Sequence, residues 1–119
     1  MHKTIKVSLI LLAILLSGCV QSPKPLYHWD GYQNSIYQYY QQTESSPQEQ
    51  IIVLQKNIEQ AKAQNVAVAP GLHAHLGLLY VNVGQIDLAY SEFNLEKSLY
   101  PESTKYMDFL LSNNKGIKK

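Results

Sequence analysis

Between Pro70 and Ser103 the apolar residues fall into two helical stripes parted by a single glycine, a pattern that only helix packing on helix can satisfy. Leu72, Leu76, Leu79, Tyr80 and Val83 recur at the spacing of one helix face, and Ile86, Ala89, Tyr90 and Phe93 form a second that would face it. Gly84 stands between the two, where a turn needs a positive φ that glycine adopts without strain. Gly77 allows close approach, Tyr80 fills the space beside it, Ala89 is small at the crossing, and Phe93 is the large partner. Pro101 is placed to open the next helix in its first turn. The second helix carries another stripe, Leu88, Leu95 and Leu99, and a helix apolar on two sides is expected to be sandwiched. The segment 101–111, with Tyr106, Met107, Phe109, Leu110 and Leu111, is the expected cover, acting as a capping helix.

The set Leu76-Gly77, Tyr80, Gly84, Ala89, Phe93 and Pro101 resembles one tetratricopeptide (TPR) repeat, whose period is about 34 residues. His73 stands where that repeat usually has a large aromatic and Glu96 where it usually has alanine, so the repeat is degenerate. One repeat alone cannot bury its face. Upstream, Ser46-Pro47-Gln48-Glu49 reads as a capping box with proline at the first helical position, opening a helix that presents Ile51, Leu54, Ile58 and Ala61. Before it, Tyr32, Ile36, Tyr39 and Tyr40 share a helical face, which makes Tyr40 an expected core residue and leaves Tyr37 off the stripe. The expectation is an all-α fold with no strand. Residues 26–112 form TPR-like antiparallel helical hairpins with a C-terminal capping helix, and 113–119 are a basic tail.

The N-terminus sets a different expectation. His2, Lys3 and Lys6 precede an apolar run from Val7 to Leu16, and Leu16-Ser17-Gly18-Cys19 closes it. That is the charged, apolar, small order of a secretory signal. The run is far shorter than the roughly 20 apolar residues of a membrane-spanning helix. The closing tetrapeptide resembles a bacterial lipobox. The resemblance implies a cleaved signal peptide (1–18), cutting between Gly18 and Cys19, and a diacylglycerol thioether on Cys19. Residues 19–25 would then be the lipidated cysteine and its tether. Val20 follows the cysteine in place of the aspartate that typically retains lipoproteins in the inner membrane, so the outer membrane is the expected destination.

Removing Lys3 and Lys6 with the signal turns the formal charge of +1 into −1, and the chain has no arginine. Nucleic-acid recognition leans on arginine forks and basic surfaces and is disfavoured. Cys19 is the only cysteine, so packing must hold the domain without a disulfide. His73 and His75 lie two apart, pointing to different sides of a helix, whereas a helical metal pair needs three or four; no metal and no cofactor is expected. Nucleophile elbows, phosphate-cradling glycine loops and paired-carboxylate sites are missing from the sequence.

Tyr27, Tyr32, Tyr37, Tyr39 and Tyr40 crowd around Trp29. Three uses stay open: packing the first hairpin, meeting a partner, or resting at a membrane surface near Cys19. Tyr37 and His73 are the candidate partner contacts.

Trp29-Asp30-Gly31-Tyr32, Ser35-Ile36-Tyr37, the run from Leu72 to Gly77, the run from Glu96 to Ser103, and Met107-Asp108-Phe109-Leu110 together resemble an uncharacterised family of short bacterial lipoproteins. Its members are typically encoded beside a lipoprotein similar to the curli-secretion channel subunit CsgG and a second small lipoprotein. The resemblance implies those two as protein partners and supplies no catalytic residues. The functional expectation is a non-catalytic TPR-like adaptor at the outer membrane, in an envelope or secretion-related assembly. The alternative is an accessory enzyme or substrate-binding lipoprotein acting on secreted peptide or envelope material.

Overall fold

Leu72–Asn82 carries apolar residues on every side, so it can be stable only with neighbours all round it. It becomes the central helix of the computed structural model, buried from Leu72 to Tyr80 with only Leu78 partly open. The structure describes residues 1–15, 18, 22–41 and 45–114. Cys19, where the lipid is expected, and Lys115, Lys118 and Lys119 of the expected basic tail lie outside them.

Six α-helices are formed among the described residues: α1 (His2–Leu15), α2 (Tyr32–Gln41), α3 (Pro47–Ala63), α4 (Leu72–Asn82), α5 (Ile86–Leu99) and α6 (Thr104–Asn114). The fold is therefore essentially helical. Residues 2–11 of α1 are exposed throughout, and no helix among the described residues is long and apolar enough to cross a membrane.

Helices α4 and α5 are joined by residues 83–85, with Gly84 at φ +78° making the turn, and so run back along each other. The crossing is close. A Cβ built on Gly77 would lie 2.6 Å from Phe93 Cδ1, inside any real carbon contact, and Phe93 is fully buried. Ala89, Leu76 and Leu79 fill the same seam.

Helix α3 covers α4 from another side. Ser46 caps it reciprocally: the Glu49 amide donates to Ser46 Oγ (3.2 Å) and the Ser46 amide donates to Glu49 Oε2 (3.0 Å), with Pro47 in the first turn. Ser46→Ala removes one half of that pair and should lower stability by about 1 kcal/mol in urea unfolding of the full chain. The buried side of α3 includes Ile51, Leu54 and Ala61, and with them Gln50 and Asn57.

Two expectations are corrected here. A short parallel strand pair exists, β1 (Tyr27–His28) with β2 (Ala67–Val68), in register Tyr27 to Ala67 and His28 to Val68. Two residues are too few to show a period of two in sequence. The pair is fixed instead by side chains: Asn57 Nδ2 donates to the carbonyls of His28 (3.3 Å) and Asp30 (2.6 Å), and the Tyr100 hydroxyl donates to that of Val68. The second correction concerns α6, which does not cover the leucine stripe of α5. It buries Met107 and Leu110 and is held to α5 by the Lys97–Asp108 ion pair at 2.7 Å. Lys97 projects from α5 well round from the leucines, so Leu88, Leu95 and Leu99 stay exposed, as do Tyr106 and Phe109. A 3₁₀ turn, Pro101–Ser103, separates the two helices, so Pro101 opens that turn rather than α6 itself.

Candidate functional site

On α5 the inward positions run Ile86, Ala89, Phe93 and then Glu96, following the apolar period into a carboxylate. Glu96 is only 2% exposed. Its Oε1 accepts the Gly71 amide at 2.6 Å, and no hydrogen-bond donor among the described residues reaches its buried Oε2. Gly71 holds φ +89° at the start of α4, and a Cβ there would meet the Tyr32 hydroxyl oxygen at 2.5 Å, so glycine alone fits beside that tyrosine. Tyr32 in turn donates to the Pro70 carbonyl at 3.2 Å. The carboxylate, the helix start and the tyrosine thus fix one another.

These groups form part of the wall of a cavity of about 430 Å³ between α2, the first turns of α4, the end of α5, and the segment leading into α6. Tyr32, Tyr40, Tyr100 and Tyr106 contribute rings to it; Glu96 and Glu102 contribute carboxyls; Leu78, Ala74 and Met107 complete an apolar lining. Burial pushes the Tyr32 hydroxyl up to about 12, with the Glu96 charge and Tyr40 adding to the effect. Burial also raises Tyr100, helped by Tyr27, Glu96 and Glu102. His75, also in the wall, is pushed down to about 4 by burial, although hydrogen bonding at Ser35 works the other way. At neutral pH both tyrosines are therefore protonated and His75 is uncharged. The aromatic cluster continues outward. Trp29 stacks on Tyr32 with ring centres 5.9 Å apart, and Tyr27 meets both Trp29 (6.1 Å) and Tyr100 (6.3 Å) edge-on.

The residues expected to matter are placed as follows. Tyr80 is buried, and its hydroxyl accepts from Gln55 Nε2 at 2.9 Å. Gly77, Ala89 and Phe93 meet at the α4–α5 crossing, and Gly84 makes the turn. Gly18 is exposed; Cys19 lies outside the described residues. Tyr37 projects outward at 61% exposure and is not part of the cavity. His73 is not an exposed contact: it is 4% exposed, with Nδ1 2.6 Å from Glu92 Oε2, because α4 is enclosed on all sides. Tyr40 is not a core residue either, being 73% exposed at the cavity rim. The inward face of α2 is Tyr32, Ser35, Ile36 and Tyr39, so a buried serine takes the position that apolarity alone would give to Tyr40.

That serine has a reason to be inside. Ser35 Oγ lies 3.4 Å from His75 Nε2 and 3.5 Å from Gln50 Oε1, joining α2, α3 and α4 through one small polar network. Tyr39 packs its edge on His75 at 5.1 Å. A serine beside a histidine suggests a nucleophile and its base, but Ser35 is 1% exposed and is not part of the cavity wall. The pair is core structure. Glu96 is marked by the sequence only as a departure from the repeat's usual alanine, although its place on the apolar period of α5 is visible there.

No curated protein and no solved structure matches the chain. One family model does, over residues 26–110, a span that begins just before β1 and ends on the buried Leu110 of α6. By that match the chain belongs to the family described as a domain of unknown function, DUF4810.

Proposed function

We propose that this chain is an outer-membrane lipoprotein, anchored through lipid on Cys19, whose helical domain is a non-catalytic, TPR-like adaptor in an envelope or secretion-related assembly. The observation that carries the adaptor reading is the uncovered stripe Leu88, Leu95 and Leu99 on α5, with Tyr106 and Phe109 stacked on α6 at 6.4 Å. Large apolar side chains held in the open on rigid helices are characteristic of surfaces that meet other proteins. The α4–α5 hairpin, with glycine against phenylalanine at its crossing, supports the TPR-like description. By family resemblance the partners are a CsgG-like lipoprotein and a second small lipoprotein. The cavity around Glu96 favours the second reading, a lipoprotein that binds secreted peptide or envelope material.

The test is chemical crosslinking and recovery of the full chain from intact envelopes, beside two variants. Cys19→Ser removes the sulfur that would carry diacylglycerol; the protein should leave the membrane fraction and accumulate as precursor. Tyr37→Ala should reduce recovery of the CsgG-like partner without moving the melting temperature, since Tyr37 is exposed. A Cys19→Ser protein that is processed and stays in membranes defeats the anchor. A wild-type chain that recovers neither lipoprotein in stoichiometric amount defeats the adaptor.

A further inference from the structure

We propose that the cavity around Glu96 is a receptor for an alkylammonium group, with the carboxylate holding the cation and the tyrosine rings flanking its apolar stem. The inference stands on the geometry of the cavity and does not depend on the adaptor reading.

A buried carboxylate is stable when both oxygens are satisfied. Glu96 Oε1 has the Gly71 amide, but that donor is neutral, and Oε2 has no donor among the described residues. The remaining demand is for a donor that also carries positive charge. The described residues of the cavity wall do not provide one. No lysine among them lines it, the chain has no arginine, and His75 is uncharged at neutral pH. Glu102, exposed in the same wall, adds a second negative charge rather than cancelling the first.

The rest of the lining selects among cations. Tyr32, Tyr40, Tyr100 and Tyr106 present aromatic rings, whose faces attract ammonium groups, and Leu78, Ala74 and Met107 suit a hydrocarbon stem. For a bare metal ion the wall offers only the Glu96 and Glu102 carboxyls, and no group of three potential ligands exists among the described residues. An amine on an alkyl chain fits better. A lysine side chain and a free peptide N-terminus share this chemistry.

The chain's only tryptophan, Trp29, stacks on Tyr32 and so reports on the cavity. Titrating the full-length protein with butylammonium at neutral pH should give a saturable change in tryptophan emission. Neutral butanol and anionic butyrate should bind at least about tenfold more weakly, as expected for loss of a buried charge pair. Glu96→Gln keeps an oxygen for the Gly71 amide and should cut the preference for butylammonium over butanol to about the two- to threefold that Glu102 supplies. Glu102→Gln, at an exposed position, should weaken butylammonium two- to threefold with an unchanged melting temperature, about what a partly screened charge is worth. N-acetyl-lysine methylamide and alaninamide then distinguish a lysine side chain from a free N-terminus, and binding of either supports the proposal. Equal binding of butylammonium and butanol by the wild-type protein overturns it, whether or not Glu96→Gln folds. So does a folded Glu96→Gln that keeps the full preference of about tenfold.

Discussion

Phe93→Ala should destabilise the protein by about 3–5 kcal/mol, the cost of emptying a fully buried aromatic site in a close-packed seam. The reason lies across the crossing, where Gly77 leaves room for the ring and nothing else. Filling that room should also do harm: Gly77→Leu forces carbon into the Phe93 ring and should cost about 1–3 kcal/mol. The two positions are coupled, so their effects should not add. Phe93→Leu combined with Gly77→Ala should be less destabilised than the sum of the two single changes, because the smaller side chain vacates the space that the new methyl needs. Urea denaturation of the four proteins reads this directly. Additive losses, or a Phe93→Ala melt that does not move, would mean that the crossing contributes little.

The other large effect is on pH. His75 titrates near 4 when folded, against an ordinary histidine value near 6.5. Its folded-state value is depressed, so between those two values the unfolded chain binds the proton and the native chain does not. Stability is then fully present above about 6.5 and declines as pH falls towards 4, by about 3 kcal/mol in total for a shift of this size. Most of that loss should be complete by pH 4.5. Urea midpoints of the wild type and His75→Gln, compared across that window, isolate the contribution. The wild type should lose roughly 2 kcal/mol more than the variant on going from neutral pH to 4.5. Parallel pH profiles would show that His75 is as easily protonated inside the fold as outside it.

The helices were legible because their signals are local. The Ser46–Glu49 capping box is found as written, and the apolar stripe from Leu72 to Val83 marks a helix that the structure places over Leu72–Asn82. What sequence missed was decided by partners far along the chain. Helix α2 is turned away from its expected phase because Ser35 has a histidine to bond forty residues later, which no count of apolar residues reveals. His73 is a candidate contact because it stands where the repeat usually has a large aromatic, but Glu92 from the facing helix makes its burial tolerable. The leucine stripe on α5 suggests a covering element, but α6 lies beside Lys97 and leaves the stripe open. Glu96 is the instructive case for the candidate site. A carboxylate on a core period is a local contradiction, and such contradictions mark places where a fold serves something besides its own stability.

The β1–β2 pair also governs how the molecule responds to being pulled. The described residues ahead of Tyr27 meet the helical body at this pair, beside Asn57 on the carbonyls of His28 and Asp30 and Lys24 on the carbonyl of Asn65 at 3.2 Å. Tension arriving from the N-terminal side therefore loads this clasp before helices α2 to α6. The load passes into the middle of α3 at Asn57, into residues 65–68, and through the Tyr100 hydroxyl on the Val68 carbonyl to the end of α5. The clasp is therefore expected to behave as a mechanical fuse, giving way before the α4–α5 crossing is strained.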